Sequence, residues 1–207
     1  LLGSRHYLPF EDGLLFYHEN LQKYVIATFQ PEVEYTQEQF YELPEEIPYQ
    51  LINGKFVQTM GASIQHQRVS SKLHTFLNIF VMEHNLGDVL HSPTDIVLGE
   101  NNIFQPDILY ISVARQSQMQ QNRIVGAPEF VVEILSKGTE ERDRNIKMTQ
   151  YGAYDVVEYW IVNPNEAFIE VYYNESKNLQ LVQTAKPGDI IRSKAIVGFE
   201  LEVARVF

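Results

Sequence analysis

Two acidic residues stand in neighbouring apolar runs, Asp107 in Phe104-Gln-Pro-Asp-Ile-Leu-Tyr-Ile-Ser112 and Glu133 in Glu129-Phe-Val-Val-Glu-Ile-Leu-Ser136. A helical stretch carrying Asp143 and Lys147 follows them. A carboxylate inside an apolar β run is expensive to desolvate unless it is paired or holds a cation. Two such groups on consecutive strands, with a lysine close behind, describe a divalent-metal site for phosphodiester hydrolysis. Hard oxygen ligands of this kind suit Mg2+ or Mn2+. A cation so held lowers the pKa of a bound water and neutralises charge growing on the phosphate. A nearby ammonium can stabilise the pentacovalent state or orient the water.

Each member also has a plainer reading. Asp107, after Pro106, could cap a turn. Glu133 could be paired with a buried Arg or Lys. Asp143 and Lys147 are four apart on a helix, a spacing that is most often a solvated ion pair worth about 0.2–0.5 kcal/mol. The functional reading comes from the set, not from any one residue.

Several elements must position these groups. Leu14–Tyr17 and Lys23–Phe29 read as a hairpin around His18-Glu-Asn-Leu-Gln22, and Thr36 as the cap of a short helix that stops before Pro44. Tyr49-Gln-Leu-Ile52, Asn53-Gly54 and Lys55-Phe-Val57 form the strongest hairpin signal, because Asn-Gly accepts the positive φ angles of a type I′ turn. From Ser63 to about His84, Val69, Leu73, Phe76, Leu77, Phe80 and Val81 recur at three- and four-residue spacing, which predicts an amphipathic helix closed near Gly87. Strands follow at Asp88–His91 and Asp95–Leu98, then at the Asp107 and Glu133 runs. A second helix is expected from about Glu140 to Tyr154, capped by Ser136 or Thr139. The closing strands are read at Glu158–Val162, Phe168–Tyr173, Leu179–Gln183 and Gly198–Val203. This order predicts an α/β fold, one mixed central β-sheet flanked by helices, without regular βαβ alternation.

A chain of 207 residues, 44% hydrophobic and 21% charged, has the make-up of one well-cored domain. The absence of cysteine rules out disulfides, thiolate nucleophiles and Cys-ligated metals. The six histidines show no zinc-ligand spacing. No apolar run approaches a membrane span and no signal-peptide pattern is read, so a cytoplasmic location is expected. The chain does not begin with methionine, which reads as a fragment or processed form.

A net charge of −11 runs against nucleic-acid binding, which usually leaves a basic footprint. The acidic excess is concentrated at the start: residues 1–60 carry three basic and nine acidic side chains. A nucleic-acid surface would therefore be local, near Arg123, Lys137, Arg142, Arg144 and Lys147.

Taken together, the segments resemble the PD-(D/E)XK restriction-endonuclease-like superfamily, and more closely its bacterial branch called the Uma-two type. The resemblance is carried by Tyr49-Gln-Leu-Ile-Asn-Gly54, His66-Gln-Arg-Val69, Pro93-Thr-Asp95, Gln105-Pro-Asp107 and Gly126-Ala-Pro-Glu-Phe-Val-Val-Glu-Ile-Leu-Ser136. It continues through Arg142-Asp-Arg-Asn-Ile-Lys147, Tyr151 and Glu158-Tyr-Trp-Ile-Val162. It covers residues 36–207 as a restriction-endonuclease-like domain and leaves residues 1–35 as an N-terminal extension packed on the core.

The resemblance implies a restriction-endonuclease-like core, with Asp107, Glu133 and the backbone carbonyl of Ile134 as metal ligands. It also implies a metal-dependent DNA endonuclease. A homodimer is expected separately: the apolar stripe of residues 69–81 is core by default, though helices of this kind can also serve dimer contacts. The superfamily's lysine falls two residues after the Glu, where this chain has Leu135, so Lys147 is the natural substitute. His66 is the one histidine singled out, with an open role. Two departures stand out: Gln50 and Asn53 replace the family's Glu and Asp in the first hairpin, and Lys137-Gly-Thr139 replaces Pro-Ser-Thr. The Gln50 change keeps a second reading open, a weakened or inactive nuclease fold serving as a binding module for a protein partner. Hydrolysis of a phosphorylated small molecule ranks below both, since no Gly-rich phosphate loop is present.

Overall fold

The computed structural model describes residues 7–10, 13–18, 23–44, 47–59, 61–136 and 138–207. In chain order the elements begin with β1 (Tyr7–Phe10), β2 (Gly13–His18), β3 (Lys23–Thr28), α1 (Gln37–Tyr41), β4 (Tyr49–Ile52), β5 (Lys55–Gln58) and α2 (Ile64–Glu83). They continue with β6 (Gly87–His91), β7 (Asp95–Val97), β8 (Ile103–Phe104), β9 (Ile108–Ser112), β10 (Arg123–Val125) and β11 (Phe130–Ile134). A wide π-helical segment (Arg142–Lys147) then runs into α3 (Met148–Ala153), followed by β12 (Glu158–Asn163), β13 (Phe168–Glu175), β14 (Asn178–Ala185), β15 (Ile190–Arg192) and β16 (Glu200–Glu202). The chain is a mixed α/β protein with two compact units.

The first unit lies within Leu1–Met60 and Gly99–Phe104. Here β1, β2 and β3 form an antiparallel sheet, and the expected hairpin is present as β2 and β3. Its loop at residues 19–22 lies outside the described residues. The Asn53-Gly54 turn joins β4 to β5 with both residues at positive φ, 49° and 72°, as the pair's chemistry predicts. Around it Phe29 stacks on Phe56 with centroids 3.9 Å apart, and Tyr49 and Phe40 add further ring contacts. Gln50 is buried on β4.

The second unit, Gly61–Leu98 with Gln105–Phe207, carries a six-stranded sheet in the order β14-β13-β12-β11-β9-β6. Only β11 and β12 run parallel; every other neighbouring pair is antiparallel. Side chains alternate between faces. Val69, Leu73, Leu77 and Val81 of α2 join one cluster with Ile108, Tyr110, Phe130, Val132, Trp160 and Val162 from the even-numbered face. Leu73 and Leu77 are fully buried, each worth about 1.5–3 kcal/mol relative to exposure. Ser63 caps α2 by accepting the His66 N–H at 3.1 Å. The helix ends at Glu83, with Asn85 left-handed at φ 54°. Gly87 then enters β6 at φ 148°, where a Cβ would lie 2.1 Å from the Ile111 carbonyl oxygen, so no other residue fits.

Several details depart from the sequence reading. Smaller sheets accompany the six-stranded one: β7 pairs in parallel with β10, and β15 pairs with β16. β10 is too short and too polar at its flanks to announce itself by alternation. The long Asp107 run is broken into β8 and β9, since Pro106 has no N–H to donate to a ladder. The second helix spans the expected residues, but its first part is wide. Among the described residues no helix is long and apolar enough to cross a membrane.

Candidate active site

Asp107 sits immediately before β9, after a proline that cannot extend the ladder. The last β9–β11 pair is Ile108 with Val132, and one further step along that register sets Asp107 opposite Glu133. In place of a backbone acceptor, the Asp107 Oδ2 takes the Ile134 N–H at 2.7 Å. The same oxygen lies 3.2 Å from the Nε2 of His66, at the start of α2. Among the described residues the other oxygen, Oδ1, has no hydrogen-bond partner.

Glu133 lies in the middle of the site and is only 3% exposed. Its Oε2 pairs with the Lys147 ammonium at 2.8 Å, and its Oε1 accepts the Tyr151 hydroxyl at 2.7 Å. Lys147, 4% exposed, also reaches the Asp143 Oδ1 at 3.2 Å. The Tyr159 hydroxyl donates to the Asp143 backbone carbonyl at 3.1 Å, tying the π-helical segment to the sheet face that carries Glu133. Two acids, Glu133 and Asp143, thus share one ammonium, while Asp107 adds its charge nearby and pairs with the His66 imidazole.

The electrostatics follow from burial and from this imbalance of charge. Burial is the main cause that pushes the Glu133 carboxyl up to about 8; Lys147 opposes it, while Asp143 and Asp107 add to it. Burial works against a charge on Lys147, but Glu133 and Asp143 outweigh it and hold the ammonium above its usual range. Burial likewise opposes protonation of His66, and Asp107 together with the nearby Ile134 carbonyl overcomes it. The Tyr151 hydroxyl is raised well above the usual range by burial first and by Glu133 second.

Asp107, Glu133, Lys147 and Ile134 therefore meet in one place, within the second unit. Asp143 and Lys147 are not the solvated pair their spacing suggests: both are buried, Asp143 at 2% exposure. The plainer reading of Glu133, pairing with a buried lysine, is what the contacts show, and that lysine is the one expected at the site. Tyr151 carries a signal that the spacing contained, since Asp143, Lys147 and Tyr151 recur every four residues. The expected basic surface loses two of its members. Lys147 is inside, and Arg144 pairs with Glu140 and Glu170. Lys137 lies outside the described residues.

A family model described as Uma2, putative restriction endonuclease, matches residues 37–204. The chain belongs to the Uma2 family. Among solved structures, a putative nuclease belonging to DUF820 from Anabaena variabilis has a similar fold, with a TM-score of 0.68 at 20% sequence identity. The similarity covers 83% of this chain and 97% of that one. No curated protein matches the chain. Within the Uma2 family, the Asp107, Glu133 and Lys147 segments all fall inside the matched residues.

Whether this Uma2 site suits a divalent cation can be judged from its donors. Asp107 Oδ1 is unbonded, and Glu133 and the Ile134 carbonyl add hard oxygens of the type Mg2+ and Mn2+ prefer. Among the described residues no group of three or more His, Cys, Asp or Glu side chains is already arranged to hold a metal. Both Glu133 oxygens are engaged, so Lys147 would have to yield Oε2 for that carboxylate to serve as a ligand. The donor chemistry fits.

Proposed function

We propose that this protein is a metal-dependent DNA endonuclease on a restriction-endonuclease-like core, with Asp107 and Glu133 as the acidic ligands of Mg2+ or Mn2+. One observation carries this reading. Glu133 and Asp143 share a single ammonium, Asp107 adds its charge nearby, and burial with these neighbours leaves Glu133 favouring a proton. Such a site is short of positive charge. A bound divalent cation supplies that charge, lowers the pKa of a water and neutralises the phosphate in the transition state.

The chain's own residues do the rest. Asp107 presents Oδ1 while Oδ2 is held by the Ile134 N–H and His66, and the Ile134 carbonyl, which lies near the His66 ring, would be a further oxygen ligand. Tyr151 keeps Glu133 in place through Oε1. Lys147, an ammonium paired with Glu133 and Asp143, would be a protonated donor able to orient the attacking water or meet the charge on the phosphoryl oxygens.

A supercoiled and linear DNA panel with Mn2+ or Mg2+ tests this. Cleavage is expected, and D107A or E133A should reduce it at least about a hundredfold. Cleavage unaffected by both substitutions would overturn the assignment. The alternative, a binding module for a protein partner, is favoured by the engagement of both Glu133 oxygens. It predicts no metal-dependent cleavage and partner capture undiminished in D107A/E133A.

A further inference from the structure

His66 is the site-facing residue whose role the family resemblance leaves open. Its backbone is fixed at the first turn of α2 by the Ser63 hydroxyl, and the residue is 7% exposed. Among the described residues its ring makes one side-chain hydrogen bond, Nε2 to the Asp107 Oδ2 at 3.2 Å, with the Ile134 carbonyl also nearby. Its other ring nitrogen, Nδ1, is buried without a hydrogen-bond partner among the described residues. A buried polar atom left unpaired weakens the fold, so an apolar side chain here would serve packing better. The imidazole is therefore explained by what Nε2 does.

We propose that His66 is a positioning residue: its Nε2–H and the Ile134 N–H together clamp Asp107 through Oδ2, leaving Oδ1 presented and unbonded for a divalent cation. The two donors come from different elements, α2 and β11. One hydrogen bond fixes where the oxygen sits but allows the carboxylate plane to swing about it. A second donor on the same oxygen removes that swing, and orienting a ligand in this way typically matters 10- to 100-fold in metal affinity. The inference rests on the metal-site reading above.

Mn2+ titration calorimetry on the full chain tests it, with H66F keeping the ring volume, H66Q keeping a donor at the position of Nε2, and D107A removing the ligand. H66F is expected to bind Mn2+ about 10- to 100-fold more weakly than wild type. H66Q should stay within about threefold, a rescue that simple packing would not produce. D107A should not bind. H66F binding as wild type does, or H66Q falling as far as H66F, overturns the role of His66 while the metal site stands. Wild type and D107A behaving alike would instead remove the metal site, and the role of His66 with it. Should H66F fail to fold by circular dichroism, 15N imidazole spectra of the wild-type protein decide. A proton on Nε2 supports the clamp, and a ring protonated at Nδ1 alone overturns it.

Discussion

Glu133 and Glu158 are buried carboxylates on adjacent parallel strands, β11 and β12, yet their surroundings differ in kind. Glu158 is fully buried and surrounded by neutral donors: the Trp160 indole, the Ser193 hydroxyl and the backbone N–H groups of Lys194 and Ala195. Burial raises its pKa, and these hydrogen bonds work against the rise. It ties the 193–196 loop to the sheet. Glu133 has one hydroxyl and one shared ammonium, with Asp107 and Asp143 adding negative charge. Burial alone therefore does not mark a site. Unbalanced charge among buried acids does, because the fold gains nothing from leaving it unbalanced.

The contrast breaks most visibly at Lys147. Removing the ammonium shared by Glu133 and Asp143, as in K147M, should destabilise the protein by about 3–5 kcal/mol at pH 8, measured by urea unfolding. An unchanged midpoint and slope would mean that the pair is not buried as described. Next come the paired neutral substitutions. E158Q should lose about 1–3 kcal/mol by leaving a donor unsatisfied, with cleavage per folded molecule unchanged. E133Q should match or exceed wild-type stability at pH 8 while losing cleavage. If the two variants behaved alike, the distinction between the carboxylates would collapse.

The pH dependence sharpens the same point. The folded pKa of Glu133 is raised to about 8, so its contribution to stability is fully present below the ordinary carboxylate range and lost as pH rises through about 8. Without metal, unfolding free energy should fall across that window by up to about 1.4 kcal/mol per pH unit, the limit for one proton. E133Q should flatten the slope, whereas an equally steep one would place the proton elsewhere. The smallest effect is expected from Y151F. It removes one hydrogen bond to Glu133 for about 1 kcal/mol, and it should weaken Mn2+ binding in calorimetry where a distant Tyr→Phe control does not.

Much of this architecture was legible in residue types and spacing. The Val69–Leu73–Leu77–Val81 stripe specifies α2, Asn53-Gly54 specifies its turn, and acids within apolar runs single out Asp107 and Glu133. What escaped depends on local backbone deviations and on distant contacts. The π-helical turn at Arg142–Lys147 changes the phase in which Asp143 and Lys147 present themselves, and no propensity scale announces it. Pro106 signalled an extended approach to Asp107, but not that its carboxylate would stand in for a ladder acceptor. The His66–Asp107 contact joins residues 41 positions apart, beyond the reach of any local pattern. Glu158 shows the converse. As an acid opening an apolar strand it raises the same alarm as Glu133, and only its donors reveal a structural role.

Anomalous diffraction from crystals soaked in Mn2+ probes the central claim most directly. The account predicts a manganese peak bound jointly by the Asp107 and Glu133 carboxylates, with Lys147 moved off Glu133 Oε2 and still beside Asp143. Crystals that take up manganese elsewhere, or not at all, while the Lys147–Glu133 pair stays intact, would contradict it.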